Sequence, residues 1–156
     1  MPFRVSGRSR EEQQTITNTG SPNETRELGI KLGKGLKAGD TVALFGDLGS
    51  GKTTFVQGVA KGLGVAGFVT SPSFVIVNEY RTLSGLPFYH IDLYRTDSLS
   101  QIEDLGISDI LGKDSISLIE WAEKAAELLP ENCRKIRFEF VSENERRVIT
   151  DESARD

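Results

Sequence analysis

The hydrophobic positions change their spacing several times along the chain, and each change predicts an element. Residues 12–17 read as a short edge strand. Ser21-Pro22-Asn23-Glu24 then reads as a helix start, with a hydroxyl cap, a proline where no N–H is needed, and a carboxylate at the third helical position. Leu28, Leu32 and Leu36 give that helix an apolar stripe, with Ile30 off it, and Ala38-Gly39-Asp40 stops it. Thr41-Val42-Ala43-Leu44-Phe45 is a continuous β-prone run, the pattern of a strand buried on both faces. A glycine-rich loop follows, then a helix carrying Phe55, Val56, Val59, Ala60 and Leu63 on one side and ended by Gly62 and Gly64.

The second half alternates more quickly. Residues 74–80 and 86–91 predict two strands, joined as a hairpin around Ser84-Gly85. Ser98 caps a short helix reaching 105, residues 115–119 form a strand, and residues 122–129 form a helix stopped by Pro130. Residues 137–141 and 146–150 close the chain as a strand pair around Glu143-Asn144-Glu145. Strands with helices between them predict an α/β fold: a three-layer domain like that of P-loop NTPases, with a mostly parallel sheet and an antiparallel C-terminal strand pair. Residues 1–156 read as one domain, with polar ends at about 1–9 and 151–156 expected to fray.

Composition narrows the classes. Leu, Ile, Val and Phe number 15, 11, 10 and 8 of 156 residues, enough to build a core. No apolar run approaches a membrane span, and the first residues show no apolar leader segment, so a cytoplasmic protein with no membrane partner is expected. Cys133 and His90 are the single cysteine and histidine, which excludes an internal disulfide and a Cys- or His-built metal cage. The net charge of -4, without a basic stripe, argues against a direct grip on nucleic acid.

The strongest chemical signal is Gly46-Asp47-Leu48-Gly49-Ser50-Gly51-Lys52-Thr53, which fits G-x-x-x-x-G-K-[ST] at every fixed position. Glycines let backbone N–H groups wrap a triphosphate, and the next helix aims its positive end at the phosphates. Lys52 would neutralise the β- and γ-oxygens, and the Thr53 hydroxyl would ligate Mg2+. The pattern arises by chance in on the order of one per cent of chains this long, but here a buried-strand pattern precedes it and an amphipathic helix follows.

Such a loop needs an acid near the metal, usually at the end of a neighbouring strand. Glu120 and Asp92 each end an apolar strand, so either can hold Mg2+ while the other orients the attacking water; each could instead cap the next turn. Thr70-Ser71-Pro72-Ser73 is a hydroxyl-rich loop suited to sensing a γ-phosphate, or an ordinary turn. His90 reads as a structural group or a support for a site residue rather than a base, and Trp121 as a packing residue or a shield for the site. Arg95 suits a phosphate, a partner or a surface ion pair. Neither Asn-Lys-x-Asp nor Thr-Lys-x-Asp occurs, which counts against GTP and favours ATP.

Several segments together resemble the TsaE (YjeE-type) ATPases of bacterial tRNA threonylcarbamoyladenosine synthesis. They are the phosphate loop through Thr54-Phe55, Thr70-Ser71-Pro72-Ser73-Phe74, His90-Ile91-Asp92-Leu93-Tyr94-Arg95, Leu105-Gly106-Ile107-Ser108-Asp109, Ile119-Glu120-Trp121-Ala122-Glu123 and Leu128-Leu129-Pro130. The likeness spans roughly residues 21–141, with Ser73 where Thr is common and Ala122 where Pro is frequent. It implies an ATP- and Mg2+-binding domain, weakly active alone, that works with TsaD and TsaB, tRNA being engaged only through them. By position it implies that Lys52 and Thr53 serve phosphate and metal, Glu120 the metal, Thr54 and Asp92 hydrolysis, and Trp121 the wall of the nucleotide site. The adenine would lie near residues 21–25. The rival functions are a small-molecule kinase on the same loop and a nucleotide-gated binding module whose hydrolysis is incidental. Glu79, Tyr80 and Arg95 are candidates for a partner surface.

Overall fold

The apolar run at the middle of the first half becomes β2 (Thr41–Phe45), whose first four residues are fully buried. It lies at the centre of one seven-stranded sheet. In chain order the other elements are β1 (Gln14–Thr19), α1 (Pro22–Gly35), α2 (Lys52–Gly62), β3 (Val77–Arg81), β4 (Pro87–Asp92), α3 (Leu99–Glu103), β5 (Ile116–Glu120), β6 (Arg134–Phe140) and β7 (Arg146–Asp151). The computed structural model describes residues 14–46, 51–67 and 76–151.

The strand order is β1-β7-β6-β2-β5-β4-β3. The four central strands β6, β2, β5 and β4 run parallel. Antiparallel partners flank them: β3 hairpins onto β4, β7 onto β6, and β1 forms the far edge against β7. The expected α/β architecture with a parallel core and an antiparallel C-terminal pair is the one observed. Register matters for function here. Leu44 pairs with Glu120, and Glu120 with Asp92, so the carboxyl ends of β2, β5 and β4 finish level with one another. In open parallel sheets that edge is where ligands bind.

Helices cover both faces. On one, Phe55, Val56, Val59 and Ala60 of α2 pack on Val42, Leu44, Phe88, Ile116 and Leu118, with the Phe55 and Phe138 rings edge to face at 5.1 Å. On the other, Leu93, Ile102, Ile107, Ala122, Ala125 and Cys133 cover Ala43, Ile91 and Ile119. Burial holds the Cys133 thiol neutral, its pKa pushed up to about 11.

α1 begins as its sequence dictates. The Glu24 N–H donates to the Ser21 hydroxyl (3.2 Å), Pro22 opens the first turn, and the Gly20 N–H donates to Glu24 Oε1 (2.6 Å). Its buried stripe differs from the leucine stripe. Thr25, Gly29 and Gly33 are buried, while Leu28, Leu32 and Leu36 are half-buried against the core. The reason is a glycine interlock with α2. A Cβ on Gly29 would come within 2.3 Å of the Phe55 carbonyl oxygen, and one on Gly58 within 2.1 Å of that of Arg26. Gly33 and Gly62 repeat the pattern one turn on. Helix backbones approach this closely only where side chains are absent.

Other expectations shift. β1 ends two residues later than expected, at Thr19. β6 begins at Arg134 rather than 137, because Val42 and its neighbours in β2 pair with 134–137. Asp151, expected to fray, closes β7 and pairs with Gln14. The helix over 122–129 is instead a 3-10 segment, Ala122–Leu128, broken at Ala125. A 3-10 turn at Ile107–Asp109 was not expected. Among the described residues no helix is long and apolar enough to cross a membrane.

Candidate active site at the ends of the parallel strands

The site is assembled where β2, β4 and β5 end. Gly46 leaves β2 with φ +142°, and Gly51 caps α2 with φ +102°, a region where a side chain is strained. Residues 47–50 of the phosphate loop lie outside the described residues, as do the hydroxyls of Thr70, Ser71 and Ser73. Lys52, Thr53 and Thr54 occupy the first turn of α2, as the motif requires. Lys52 is buried. Its Nζ donates to the Gly46 carbonyl and sits 3.9 Å from the centroid of the Trp121 ring. The ammonium thus spans the base of the loop, with the indole on the other side.

Trp121 follows β5 with φ +59°, the one non-glycine residue at positive φ among the described residues. A bulky side chain rarely adopts this conformation, which is a form of strain common at functional sites. The turn directs the indole against Lys52, and the Tyr94 ring backs it at 5.1 Å. Lys124 fastens this wall, its Nζ donating to the carbonyls of Tyr94 (2.7 Å) and Thr96 (2.8 Å). Trp121 therefore lies against Lys52 rather than only in the packed core.

The two acids, level in register, have different surroundings. Glu120 is 3% exposed, and its Oε2 lies 2.6 Å from Nε2 of the fully buried His90. Asp92 is half-buried, and its Oδ1 accepts the Tyr94 N–H at 3.0 Å, so the turn-capping alternative does hold for Asp92. A hydroxyl at Thr53 and carboxylates at Glu120 and Asp92 form a hard oxygen donor set, which suits Mg2+. No group of three or more His, Cys, Asp or Glu able to hold a metal occurs among the described residues.

Arg146 is the residue the sequence did not single out. A Cβ on Gly51 would lie 3.5 Å from Arg146 Cγ, so this side chain flanks the start of α2. Its Nη1 donates to the carbonyls of Ser142, Glu143 and Glu145, and its guanidinium carbon lies 4.8 Å from the Phe140 ring centroid. In the sequence it stands only in a short Arg-Arg pair. Of the surface candidates, Glu79 and Arg95 are exposed, whereas Tyr80 is half-buried against Phe88.

Residues 19–149 match the family described as threonylcarbamoyl adenosine biosynthesis protein TsaE. A Bacillus subtilis tRNA threonylcarbamoyladenosine biosynthesis protein TsaE is 39% identical over 136 residues, which cover 87% of this chain and 84% of the relative. Its counterpart in Streptomyces coelicolor is 46% identical over 116 residues, 73% of this chain and 78% of the relative. The crystal structure of Bacillus subtilis YdiB superposes with a TM-score of 0.72 at 33% identity, covering 88% of this chain and 84% of that one.

Proposed function

The chain belongs to the TsaE family, and on that footing we propose that it is a Mg2+-dependent ATPase serving threonylcarbamoyladenosine modification of tRNA, acting on or with a TsaD–TsaB type complex. The observation that carries the chemistry is the register of β2, β5 and β4. It sets Glu120 and Asp92 side by side at the strand ends, on the edge of the sheet from which Gly46 leads into the phosphate loop.

In this reading Lys52 exchanges the Gly46 carbonyl for phosphate oxygens, and its charge offsets the negative charge that spreads over the γ-phosphoryl group as the bond breaks. The amide groups at the start of α2 hold the phosphates. Mg2+, when bound, supplies Lewis-acid stabilisation of the same oxygens. Thr53 and Glu120 would hold it. Asp92, more exposed and directed by the Tyr94 amide, orients the attacking water, and Thr54 lies one residue further along the same turn. Trp121, backed by the Tyr94 ring, covers Lys52 on one side.

The test is ATP hydrolysis by the purified chain with and without purified TsaD and TsaB. Turnover several-fold higher with the pair is the expected result. ATP binding without stimulation by the pair would overturn the partner-coupled reading. Turnover driven by a metabolite, with a phosphorylated product, would establish a kinase instead.

A further inference from the structure

His90 stands in a stripe that packing alone would fill with a hydrocarbon. On the same face of β4, Phe88 is fully buried in the core, and Leu118, the neighbour of His90 on β5, is fully buried too. The imidazole is itself completely buried, and its Nδ1 has no hydrogen-bond partner among the described residues. A buried polar atom left unpaired is costly, so a histidine here calls for a reason beyond packing. The reason lies two residues along β5. Glu120 is nearly as buried, and Nε2 of His90 is 2.6 Å from its Oε2. The described residues give that carboxylate no other side-chain hydrogen bond.

We propose that His90 is a positioning residue for Mg2+ binding: its Nε2–H fixes Oε2 of Glu120 and thereby turns Oε1 toward the nucleotide side of the sheet edge. An ionised carboxylate can only accept, so in the 2.6 Å contact Nε2 is the donor. The arrangement inverts the common one in which a carboxylate orients a metal-bound histidine. His90 cannot itself act on substrate, because its ring is sealed from solvent and its one engaged nitrogen faces Glu120. This inference rests on Glu120 being the metal residue.

The experiment is a Mg2+ titration of the binding of a non-hydrolysable ATP analogue to the full chain. His90→Phe keeps the ring and removes the donor. It should raise the Mg2+ concentration at half-saturation about tenfold, while leaving Mg2+-free nucleotide affinity within twofold. His90→Gln, which restores an N–H donor, should recover most of the loss, and His90→Phe should add nothing in a Glu120→Ala background. A folded His90→Phe protein with wild-type Mg2+ dependence overturns the proposal. A second measurement needs no variant. The chain has one histidine, so its imidazole nitrogen spectrum holds a single residue. A protonated Nε2, whose shift moves with Mg2+ plus nucleotide but not with nucleotide alone, is expected; an Nε2 without a proton, or no response to Mg2+, overturns it. If Glu120→Ala itself leaves the Mg2+ requirement unchanged, the metal assignment fails; if only His90→Phe does, this inference alone fails.

Discussion

The ends of β4 and β5 are neighbours in one parallel ladder, and each carries a carboxylate at the same level, yet the fold treats them differently. Glu120 is buried and held through its side chain by a buried imidazole. Asp92 is half-buried and held through its own turn, by the amide of Tyr94. After Glu120 the chain turns into the strained Trp121 and a 3-10 segment; after Asp92 it makes an ordinary turn fastened by Lys124. One sheet edge thus holds two acids in different surroundings. A carboxylate deprived of water and fixed at one oxygen suits a metal ion, while one that keeps solvent contact suits a water molecule.

The strongest way to break this comparison is to remove the Lys52 ammonium, which lies between the Gly46 carbonyl and the Trp121 ring. Lys52→Ala should lower ATP turnover at least a hundredfold with the fold intact by circular dichroism; unchanged turnover would show that neither strand end belongs to a phosphate site. Next comes the helix that carries Lys52. Gly58→Ala forces a methyl against the Arg26 carbonyl, and overpacking of this kind costs about 1–3 kcal/mol, so a melting temperature lower by several degrees is expected in calorimetry. A variant as stable as wild type would mean that α1 and α2 can separate freely.

The packing behind β5 can be probed through Cys133, which shares a buried cluster with Ile119 and Ala122. Burial raises this thiol from 9.0 to about 11. Below pH 9 the neutral thiol's contribution to stability is therefore complete, and it is lost as the pH rises toward 11. At pH 8 a thiol reagent should leave the native protein unlabelled and react on unfolding; rapid native labelling would reveal an open layer beneath Glu120. The smallest effect belongs to the exposed Arg147–Glu139 pair, 3.1 Å apart across β6 and β7. Arg147→Ala should change stability by about 0.5 kcal/mol or less, and a larger loss in denaturant titration would mean that the C-terminal hairpin supports the sheet more than its exposure suggests.

Much of this was legible in the residues. The β2 run, the glycine loop and the α2 stripe mark the candidate phosphate site without any long-range information, because each is a local pattern with a local cause. The two strand-end acids were legible as candidates, but the difference in their surroundings was not: it depends on His90 reaching across from β4 to Glu120, a contact between residues thirty apart in sequence. Gly29, Gly33, Gly58 and Gly62 did carry a signal, a glycine every fourth residue in two consecutive helices, but it points to close helix contact only once both are known to face each other. The 3-10 character of residues 122–128 escaped because Trp121 enters it from a left-handed turn that helix propensity cannot register. Arg146 comes beside Gly51 only through the pairing of β7 with β6.

The most direct measurement is a Mg2+ titration of ATP-analogue binding by calorimetry, run side by side on wild type, Glu120→Gln and Asp92→Asn. If the ends of β5 and β4 divide the work as proposed, Glu120→Gln raises the required Mg2+ at least tenfold and Asp92→Asn changes it by less than twofold. Equal shifts in the two variants, or a larger one in Asp92→Asn, would contradict it.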